Sequence, residues 1–563
     1  MSWRHYAVVL GFCGLVVALA LRVGYLNFEQ RGFLKKQGDA RAVRSEPLRA
    51  YRGIIRDRLG EPLAVSSPVY TAWTDPSLAD VSSEDQAALA RALQLPLREV
   101  EAKLGDKERQ FAYLKRRLDP EQAKAVEALG IDGVFLRTEY RRFYPAGEIT
   151  SHVLGITGVG EQGVDERGLE GVEAVFDERL KGRAGRKTVL RDRRGANIGD
   201  LGYVAAPKYG EDLQLSLDLR LQFIAYRELK SAVESHGAES GSLVMVDVPT
   251  GEILALVNQP SFNPNEPLLS GLKGLRNRAV TDAYEPGSTI KPFTVLAALE
   301  SEHFDRQSEI DTAPGYVWVG EKLIQDPSNR GVLSLRSVLA QSSQVAIAKI
   351  AVTLPERSVF DVLARAGAGL PVGSGMPGET AGRFSDSGLR SDVVRASMAY
   401  GYGLSLSPLQ LASAYLTLAT GGERRVMTIV RGGSAVPDER VFDEQVVRDV
   451  VDMMEGVTDP QGTAPKASVP GYRVAGKTGT ARIVGEGGYD DERHVALFAG
   501  MVPREDPRLV MVVVINEPTS GLSGGGAVAA PVFGRVAGRS LRLLGVPSRP
   551  EPQLAQARVG GRP

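Results

Sequence analysis

Residues 285–292 read Glu-Pro-Gly-Ser-Thr-Ile-Lys-Pro and open an apolar run with a helical pattern. Ser288 follows a Pro-Gly turn, and Pro292 falls in the first helical turn, where proline is tolerated. Positions i and i+3 lie on one helix face, so we expect the Ser288 hydroxyl beside the Lys291 amine. A neutral lysine can act as the base that activates a serine nucleophile. Taken alone, the pattern also fits a helix cap with a solvated lysine.

A second motif, Lys477-Thr478-Gly479-Thr480, follows a short apolar run and is predicted at a strand edge. A lysine beside two hydroxyls suits a substrate carboxylate, through charge-assisted hydrogen bonds. Gly479 is expected to let a substrate backbone approach closely. The backbone N–H groups of Thr480 and Ser288 are candidates for an oxyanion hole. Taken alone, this motif also fits a turn between strands.

A third motif, Ser342-Ser343-Gln344, lies in a predicted helical stretch at 340–350. Serine-x-x-lysine, a serine-x-asparagine type motif and Lys-Thr-Gly occur together in penicillin-binding proteins and class A β-lactamases. This chain has the three motifs in that order, with Gln344 where the pattern has asparagine. The set is much more specific than any one motif.

Apolar strand-like runs flank these motifs on both sides. Residues 241–247 and 251–257 predict a β-hairpin, and the runs at 496–501 and 509–516 predict two late strands. The middle is helical, with a continuous helix expected at 335–352, and a last helix is expected at 530–544. The pattern therefore predicts an α+β fold with an antiparallel sheet flanked by helices.

The N-terminal third has a different sequence pattern. It contains short β-like pieces and charged helical stretches but no set of catalytic residues. Gly- and Arg-rich segments such as 181–199 are expected to separate its elements. The predicted organisation is a cytoplasmic tail (1–5), a transmembrane signal anchor (6–26), a mixed non-catalytic pedestal (27–210), a catalytic domain (211–545) and a disordered tail (546–563).

The anchor prediction rests on the apolar run from Tyr6 to Leu26, which reaches spanning length with Arg22 snorkelling near one interface. A signal peptide cleaved after Ala20 and a buried core helix are the alternatives. Both membrane interpretations export the remaining chain.

Composition excludes several function classes. The chain has 563 residues with 68 basic and 68 acidic side chains, so it lacks the basic excess of a nucleic-acid binder. One cysteine, Cys13, excludes an intrachain disulfide and a cysteine-based metal site. The five histidines form no HExxH motif, and we expect neither a metal nor an organic cofactor.

With these motifs the chain resembles the class B penicillin-binding proteins, which are peptidoglycan D,D-transpeptidases, and the resemblance covers nearly the whole sequence. It implies an elongated pedestal and a β-lactamase-like serine transpeptidase domain. In the pedestal, the matching motifs are Arg52–Arg58, Arg142–Gly147 with His152, and Gly168–Glu173. The resemblance implies that they hold the pedestal against the catalytic domain.

The resemblance also implies a mechanism on a stem peptide that ends in D-Ala-D-Ala. Ser288 is the implied nucleophile, Lys291 the base, and Ser342 the relay of the proton to the leaving amine. The charge of Lys477 is expected to keep Lys291 neutral. The implied substrate-binding residues are Gln344, Lys477, Thr478, Gly479 and Thr480. β-Lactams mimic D-Ala-D-Ala and are expected to acylate the protein.

The implied partners are peptidoglycan stem peptides and lipid-linked precursor strands, a SEDS-type glycosyltransferase resembling FtsW, and divisome proteins. The implied location is the bacterial inner membrane, single-pass, with the bulk of the chain in the periplasm and a septal role. Three alternatives remain: a D,D-carboxypeptidase or β-lactamase-like hydrolase, a non-catalytic β-lactam-binding scaffold or sensor, and a specialised paralogue of the division enzyme. Gln344 leaves room for the last of these.

Overall fold

The computed structural model describes residues 3–548, except 49, 78, 160–165, 192–196, 267–273, 434–435 and 486–487. The predicted tail from 549 onward lies outside the described residues. The first helix, Trp3–Phe28, is long and apolar enough to cross a membrane, and none of its residues is buried in the protein. Exposed apolar side chains along a whole helix are typical of a helix that faces lipid rather than water.

Contacts divide the chain into two compact units. The first contains residues up to Gly53 together with Ser66–Arg142 and Lys181–Glu211. The second contains Asp212 onward together with Ile54–Val65 and Phe143–Leu180, two segments that lie within the predicted pedestal. The domain limits 27–210 and 211–545 therefore stay predictions.

The first unit contains a small sheet where a separator was expected. Its three antiparallel strands are Val43–Leu48, Gly185–Arg191 and Asn197–Ala205, with Gly185–Arg191 in the middle. The prediction that 181–199 only separates elements is therefore wrong. Val189 is fully buried on the middle strand, whereas the Gly- and Arg-rich composition of 181–199 pointed to a connecting segment.

The rest of the first unit packs helices on strands around a core that includes Leu89, Leu93, Val100 and Leu114. The short β-like pieces and charged helical stretches expected in the N-terminal third are confirmed as strands and helices. Their bounds, with the other elements of this part of the chain, are Arg31–Ala42, Pro62–Thr74, Ser83–Leu93, Leu97–Gly105, Ala112–Leu118, Pro120–Ala128 and Val134–Phe143.

A five-stranded antiparallel sheet is the centre of the second unit. Its strands are β1 (Ser240–Asp247), β2 (Ile253–Gln259), β3 (Ala475–Gly485), β4 (Gly488–Val502) and β5 (Leu509–Asn516). Their order is β2-β1-β5-β4-β3, so the predicted hairpin and the late strands are confirmed, and the Lys-Thr-Gly motif lies on an edge strand as expected.

Helices cover both faces of this sheet, which explains why its strands are apolar without alternation. Leu243 and Met245 face helices α1 (Leu219–Ser235) and α6 (Ala530–Leu543), whereas Val244 and Val246 face the other core. That second core contains α2 (Lys291–Glu300) and α5 (Pro408–Ala419). Because side chains alternate across a strand, a sheet buried on both faces needs apolar residues at every position.

The helix predicted at 335–352 is broken at the third motif, and the continuous stretch at 340–350 is wrong for the same reason. Helix α3 (Leu335–Gln341) ends before Ser342, and α4 (Gln344–Thr353) begins after Ser343. Ser342 has a φ of 59°, in the left-handed region, and the Ser343 hydroxyl accepts the Ala346 N–H at 3.0 Å. Serine side chains offer the backbone such local hydrogen bonds, and they therefore favour helix ends.

The second unit also contains shorter elements around the sheet. They are Ile55–Arg56, Gly147–Ile149, Ser151–Leu154, Thr157–Val159, Glu166–Gly168, Gly171–Val175, Asp177–Leu180, Leu213–Gln214, Arg278–Thr281, Gly287–Ile290, Glu309–Asp311, Tyr316–Val319, Lys322–Gln325, Val332–Ser334, Ser358–Arg365, Asp392–Ala399, Glu423–Arg424, Glu439–Arg440, Glu444–Met454, Glu455–Thr458, Pro465–Ala467 and Gly525–Val528.

Candidate active site

The turn that carries Ser288 is a short 3-10 helix, Gly287–Ile290, which leads directly into α2 with Pro292 in its first turn. The predicted helix start is confirmed. The Gly287 N–H donates to the Gly401 carbonyl at 3.1 Å. A Cβ on Gly401 would lie 2.0 Å from the Gly287 oxygen, so only glycine allows the loop around residue 401 to pack against this turn.

Edge strand β3 packs against the same turn. A Cβ on Gly479 would lie 2.8 Å from the Pro286 oxygen, 2.9 Å from Thr289 Cγ2 and 3.2 Å from Leu497 Cβ. The close approach that Gly479 allows is thus made by the protein's own turn, whereas the sequence pointed to a substrate backbone. This contact brings the Lys-Thr-Gly motif beside Ser288.

We expect Gly479→Ala to lower both stability and reactivity. The added methyl group forces β3 away from the Ser288 turn, and overpacking of this kind costs about 1–3 kcal/mol. Thermal unfolding and the rate of acylation by a β-lactam are the two measurements. Gly485→Ala on the same strand is the matched control, because among the described residues its Cβ would meet only the Gly488 oxygen, at 3.8 Å. Equal effects of the two variants would contradict the packing role.

Lys291 is fully buried and points at the third motif. Its Nζ donates to the Ser342 carbonyl at 2.6 Å and to the Ser342 Oγ at 3.1 Å. Burial lowers the pKa of Lys291 to about 7; the Asp326 carboxylate raises it, and the Arg330 guanidinium lowers it further. The expected cause was the charge of Lys477, and the structure instead gives burial first and Arg330 second.

Asp326 is a residue that the sequence motifs did not reveal. Its Oδ2 accepts the Ser343 hydroxyl at 2.5 Å, and its Oδ1 accepts the Gln344 N–H at 2.6 Å. The carboxylate thus caps α4, where a negative charge is favourable. No local signal marks Asp326, because it lies 16 residues before Ser342 along the chain, after the strand Lys322–Gln325.

Lys477 is fully buried, and within the described part of the chain its Nζ has hydrogen bonds only to the Thr478 carbonyl and hydroxyl, both at 3.4 Å. Burial, and then the charge of Lys291, holds its pKa well below the ordinary lysine value. The neighbouring hydroxyls are also engaged: Thr478 Oγ1 donates to Thr463 Oγ1 at 3.0 Å, and Thr480 Oγ1 accepts the Gly525 N–H at 3.1 Å. A buried lysine without an acidic partner is suited to a carboxylate that comes from outside.

Three tyrosines lie next to the Ser288 turn. Tyr400 is buried, whereas Tyr402 is half-buried and meets the Tyr489 ring edge-on at 5.5 Å. The Tyr489 hydroxyl and the Gly403 N–H both donate to Glu285 Oε1, at 3.1 and 2.9 Å. These contacts tie the loop, the β3–β4 hairpin and the segment before Ser288 together.

The structure thus brings the predicted site residues to one place by three separate contacts. Lys291 is bonded to Ser342, Gly479 packs on the Ser288 turn, and Asp326 fixes the backbone of Gln344 at the start of α4. Among the described residues, no group of three or more His, Cys, Asp or Glu side chains is placed to hold a metal ion.

Comparison with protein families gives two adjacent matches. The penicillin binding protein transpeptidase domain matches residues 241–538, more than half of the chain, and the penicillin-binding protein dimerisation domain matches 47–215. The chain belongs to the class B penicillin-binding proteins. The resemblance found from the motifs is therefore confirmed, and so is the two-part fold with its antiparallel sheet and flanking helices.

Two relatives match this penicillin-binding protein over nearly its full length. It is 42% identical to the peptidoglycan D,D-transpeptidase FtsI of Escherichia coli, over 97% of this chain and 92% of that protein. It is 39% identical to the probable peptidoglycan D,D-transpeptidase PbpC of Pseudomonas aeruginosa, over 97% of this chain and 96% of that protein.

Solved structures agree with this assignment. The transpeptidase domain of Burkholderia pseudomallei penicillin-binding protein 3 covers 60% of this chain and 98% of its own, with 40% identity and a TM-score of 0.55. Penicillin-binding protein 3 of Mycobacterium tuberculosis, solved in complex with aztreonam, covers 90% of this chain and 98% of its own, with 26% identity and a TM-score of 0.67.

Proposed function

We propose that this penicillin-binding protein is a serine-type peptidoglycan D,D-transpeptidase that crosslinks stem peptides during cell-wall synthesis. The observation that carries the proposal is the buried Lys291 amine, which follows Ser288 by three positions and donates to Ser342. A lysine with a pKa of about 7 is neutral in half of the molecules at neutral pH, which suits a general base.

The first half-reaction forms an acyl-enzyme. Ser288 Oγ attacks the carbonyl carbon of the penultimate D-Ala, and Lys291 takes the hydroxyl proton. The backbone N–H groups of Ser288 and Thr480 stabilise the oxyanion of the tetrahedral intermediate, and one such donor is worth about 10²–10³ in rate. The proton then passes through Ser342 to the nitrogen of the terminal D-Ala, the C–N bond breaks, and D-Ala leaves.

The second half-reaction transfers the acyl group to an amine of a neighbouring stem peptide. The amine nitrogen attacks the ester carbonyl, and Lys291, through Ser342, accepts the proton that the nitrogen loses. Collapse of the second tetrahedral intermediate returns a proton to Ser288 Oγ and releases the crosslinked peptide. Each group ends in the protonation state in which it began.

The terminal carboxylate of the donor binds at Lys477, Thr478 and Thr480. An incoming negative charge favours the charged form of a nearby amine, so binding raises the pKa of Lys477 from its lowered value. The buried lysine therefore gains its counter-ion only when a substrate or a β-lactam with a carboxylate is present. Gly479 lets β3 lie close enough to the Ser288 turn for this contact.

Gln344 binds the amide of the donor or of a β-lactam, in place of the asparagine of the family pattern. Its carboxamide has the same donor and acceptor on an arm one methylene longer. We expect Gln344→Asn to change acylation rates by about 3- to 10-fold and to reorder a panel of β-lactams, because one moved hydrogen bond is worth about 1 kcal/mol. If Gln344→Asn changed neither the acylation rates nor the order of the β-lactams, this role for Gln344 would be excluded.

The proposed setting follows from the relatives and the first helix. Trp3–Phe28 is the single-pass anchor in the bacterial inner membrane, uncleaved after Ala20, and the bulk of the chain lies in the periplasm. Stem peptides on lipid-linked precursor strands are the substrates, and an FtsW-like SEDS glycosyltransferase and divisome proteins are the partners. The relative named FtsI favours a septal role, and Gln344 in place of asparagine makes a specialised paralogue the second candidate.

The test is an exchange assay with the full-length protein, a pentapeptide ending in D-Ala-D-Ala and a labelled D-amino acid as acceptor. A transpeptidase releases D-Ala and incorporates the labelled residue, and Ser288→Ala abolishes both. A hydrolase releases D-Ala but incorporates no label, and a scaffold or sensor does neither. Either of these two results overturns the proposal.

A further inference from the structure

We propose that Asp326 and Arg330 are positioning residues that act on Lys291: Asp326 holds the Ser342–Gln344 segment against the lysine, and the charges of Asp326 and Arg330 act on its amine in opposite directions. This inference rests on the proposed function, since it concerns the proposed base. Both residues lie in the loop after the strand Lys322–Gln325, outside the three motifs.

The carboxylate of Asp326 is well placed to fix the loop. It is buried, its own N–H donates to the Gly315 carbonyl at 2.9 Å, and its two oxygens accept three hydrogen bonds from the segment at the start of α4. Those bonds come from the Ser343 hydroxyl and from the N–H groups of Gln344 and Val345.

These bonds matter because Ser342 is held in an unfavourable backbone conformation. Its φ of 59° costs a residue with a Cβ about 1–2 kcal/mol. In that conformation both the Ser342 carbonyl and its hydroxyl accept from Lys291 Nζ, at 2.6 and 3.1 Å. Asp326 binds the three residues that follow Ser342, and it thereby supports the geometry in which Lys291 has both hydrogen-bond partners.

Arg330 supplies the opposite charge. Its Nη1 donates to Gln341 Oε1 at 2.7 Å, at the last residue of α3, and its Nε is buried with no hydrogen-bond partner among the described residues. The charged groups that act on the Lys291 amine are thus Asp326 and Arg330, both from the loop, whereas the pKa of the Lys477 amine on β3 is itself lowered by burial and then by the charge of Lys291. Asp326 favours the ammonium form of Lys291, and Arg330 disfavours it.

The two residues therefore have opposite effects on the pH at which the base becomes active. Asp326→Asn removes the carboxylate charge but keeps an oxygen for the Gln344 N–H, so Lys291 loses its proton at a lower pH. Arg330→Gln removes the guanidinium charge, so Lys291 holds its proton to a higher pH. A neighbouring charge that acts on an amine shifts such a titration by about one pH unit.

The experiment measures the rate of Ser288 acylation by one β-lactam from pH 5 to 9, with full-length protein in detergent and stopped samples read by mass spectrometry. The acylation rate rises with pH as Lys291 loses its proton, and we compare the pH at which this rise is half complete. We expect that pH about one unit lower in Asp326→Asn than in the wild type, and about one unit higher in Arg330→Gln. Asp386→Asn is the matched control, because it removes an exposed carboxylate that pairs with Arg357. Its acylation rate should have the same half-maximal pH as that of the wild type.

The inference is overturned if both variants have the half-maximal pH of the wild type, or if this pH moves in the same direction in both. Either result leaves the proposed function intact. If Asp326→Asn does not fold, Arg330→Gln alone still decides the sign of the electrostatic effect. If the wild type forms no adduct with any β-lactam tried, the proposed function fails first, and the two failures are therefore distinguishable.

Discussion

Lys291→Met lowers the rate of Ser288 acylation by about 10²- to 10⁴-fold, the usual contribution of a positioned general base. Methionine matches the length of the buried lysine stem but accepts no proton. The pH dependence should change as well. The wild-type rate rises through about pH 7, because burial lowers the pKa of Lys291 to about 7 and only the neutral amine accepts the serine proton. The residual acylation rate of Lys291→Met should not show this rise near pH 7.

Rapid-quench mass spectrometry with a single β-lactam measures both effects. Lys466→Met is the matched control, because Lys466 is exposed and lies in the turn Pro465–Ala467, away from the Ser288 turn in sequence. It should keep the wild-type rate and pH profile. A Lys291→Met protein that unfolds at the wild-type temperature and is acylated at the wild-type rate would exclude Lys291 as the base.

Lys477→Met lowers acylation by about 10²- to 10³-fold for β-lactams that carry a free carboxylate. The charge-assisted bond is formed in a fully buried position, and removal of one partner of a buried ion pair costs about 3–5 kcal/mol. Because Lys477 has no acidic partner among the described residues, the wild-type lysine has its counter-ion only in the complex.

A cycle with two compounds isolates that bond. The wild type and Lys477→Met are each measured with a β-lactam and with its methyl ester, which lacks the negative charge. The acid should acylate the wild type much faster than the ester does. The two rates should be similar in Lys477→Met, because the variant and the ester each remove the same lysine–carboxylate bond. An equal preference for the acid in both proteins would mean that another group holds the carboxylate.

The central sheet and the Ser288 turn could be predicted because their signals are local. Apolar runs mark β1, β2, β4 and β5, and the Pro-Gly turn followed by Pro292 marks the start of α2. The family also followed from three short motifs, because their combination is specific although each member is common. Local patterns therefore placed the first two motifs, at a helix start and on an edge strand, but not the third.

What the sequence could not predict depends on contacts between distant residues. The helix expected at 335–352 breaks because Asp326, far away in sequence, caps α4 and because the Ser343 hydroxyl accepts the Ala346 N–H. The lowered pKa of Lys291 comes from burial and Arg330, neither of which a motif reports. Gly479 is explained by the Pro286 carbonyl and Thr289, which meet it only in the folded protein.

The most direct test of Ser288 as the nucleophile is the mass of the intact protein after reaction with a β-lactam, for the wild type and for Ser288→Ala. We expect one long-lived acyl adduct in the wild type, mapped by proteolysis to the peptide that contains Ser288, and none in Ser288→Ala. An adduct that persists in Ser288→Ala, an adduct on another residue, or no adduct with any of several β-lactams would contradict this role for Ser288.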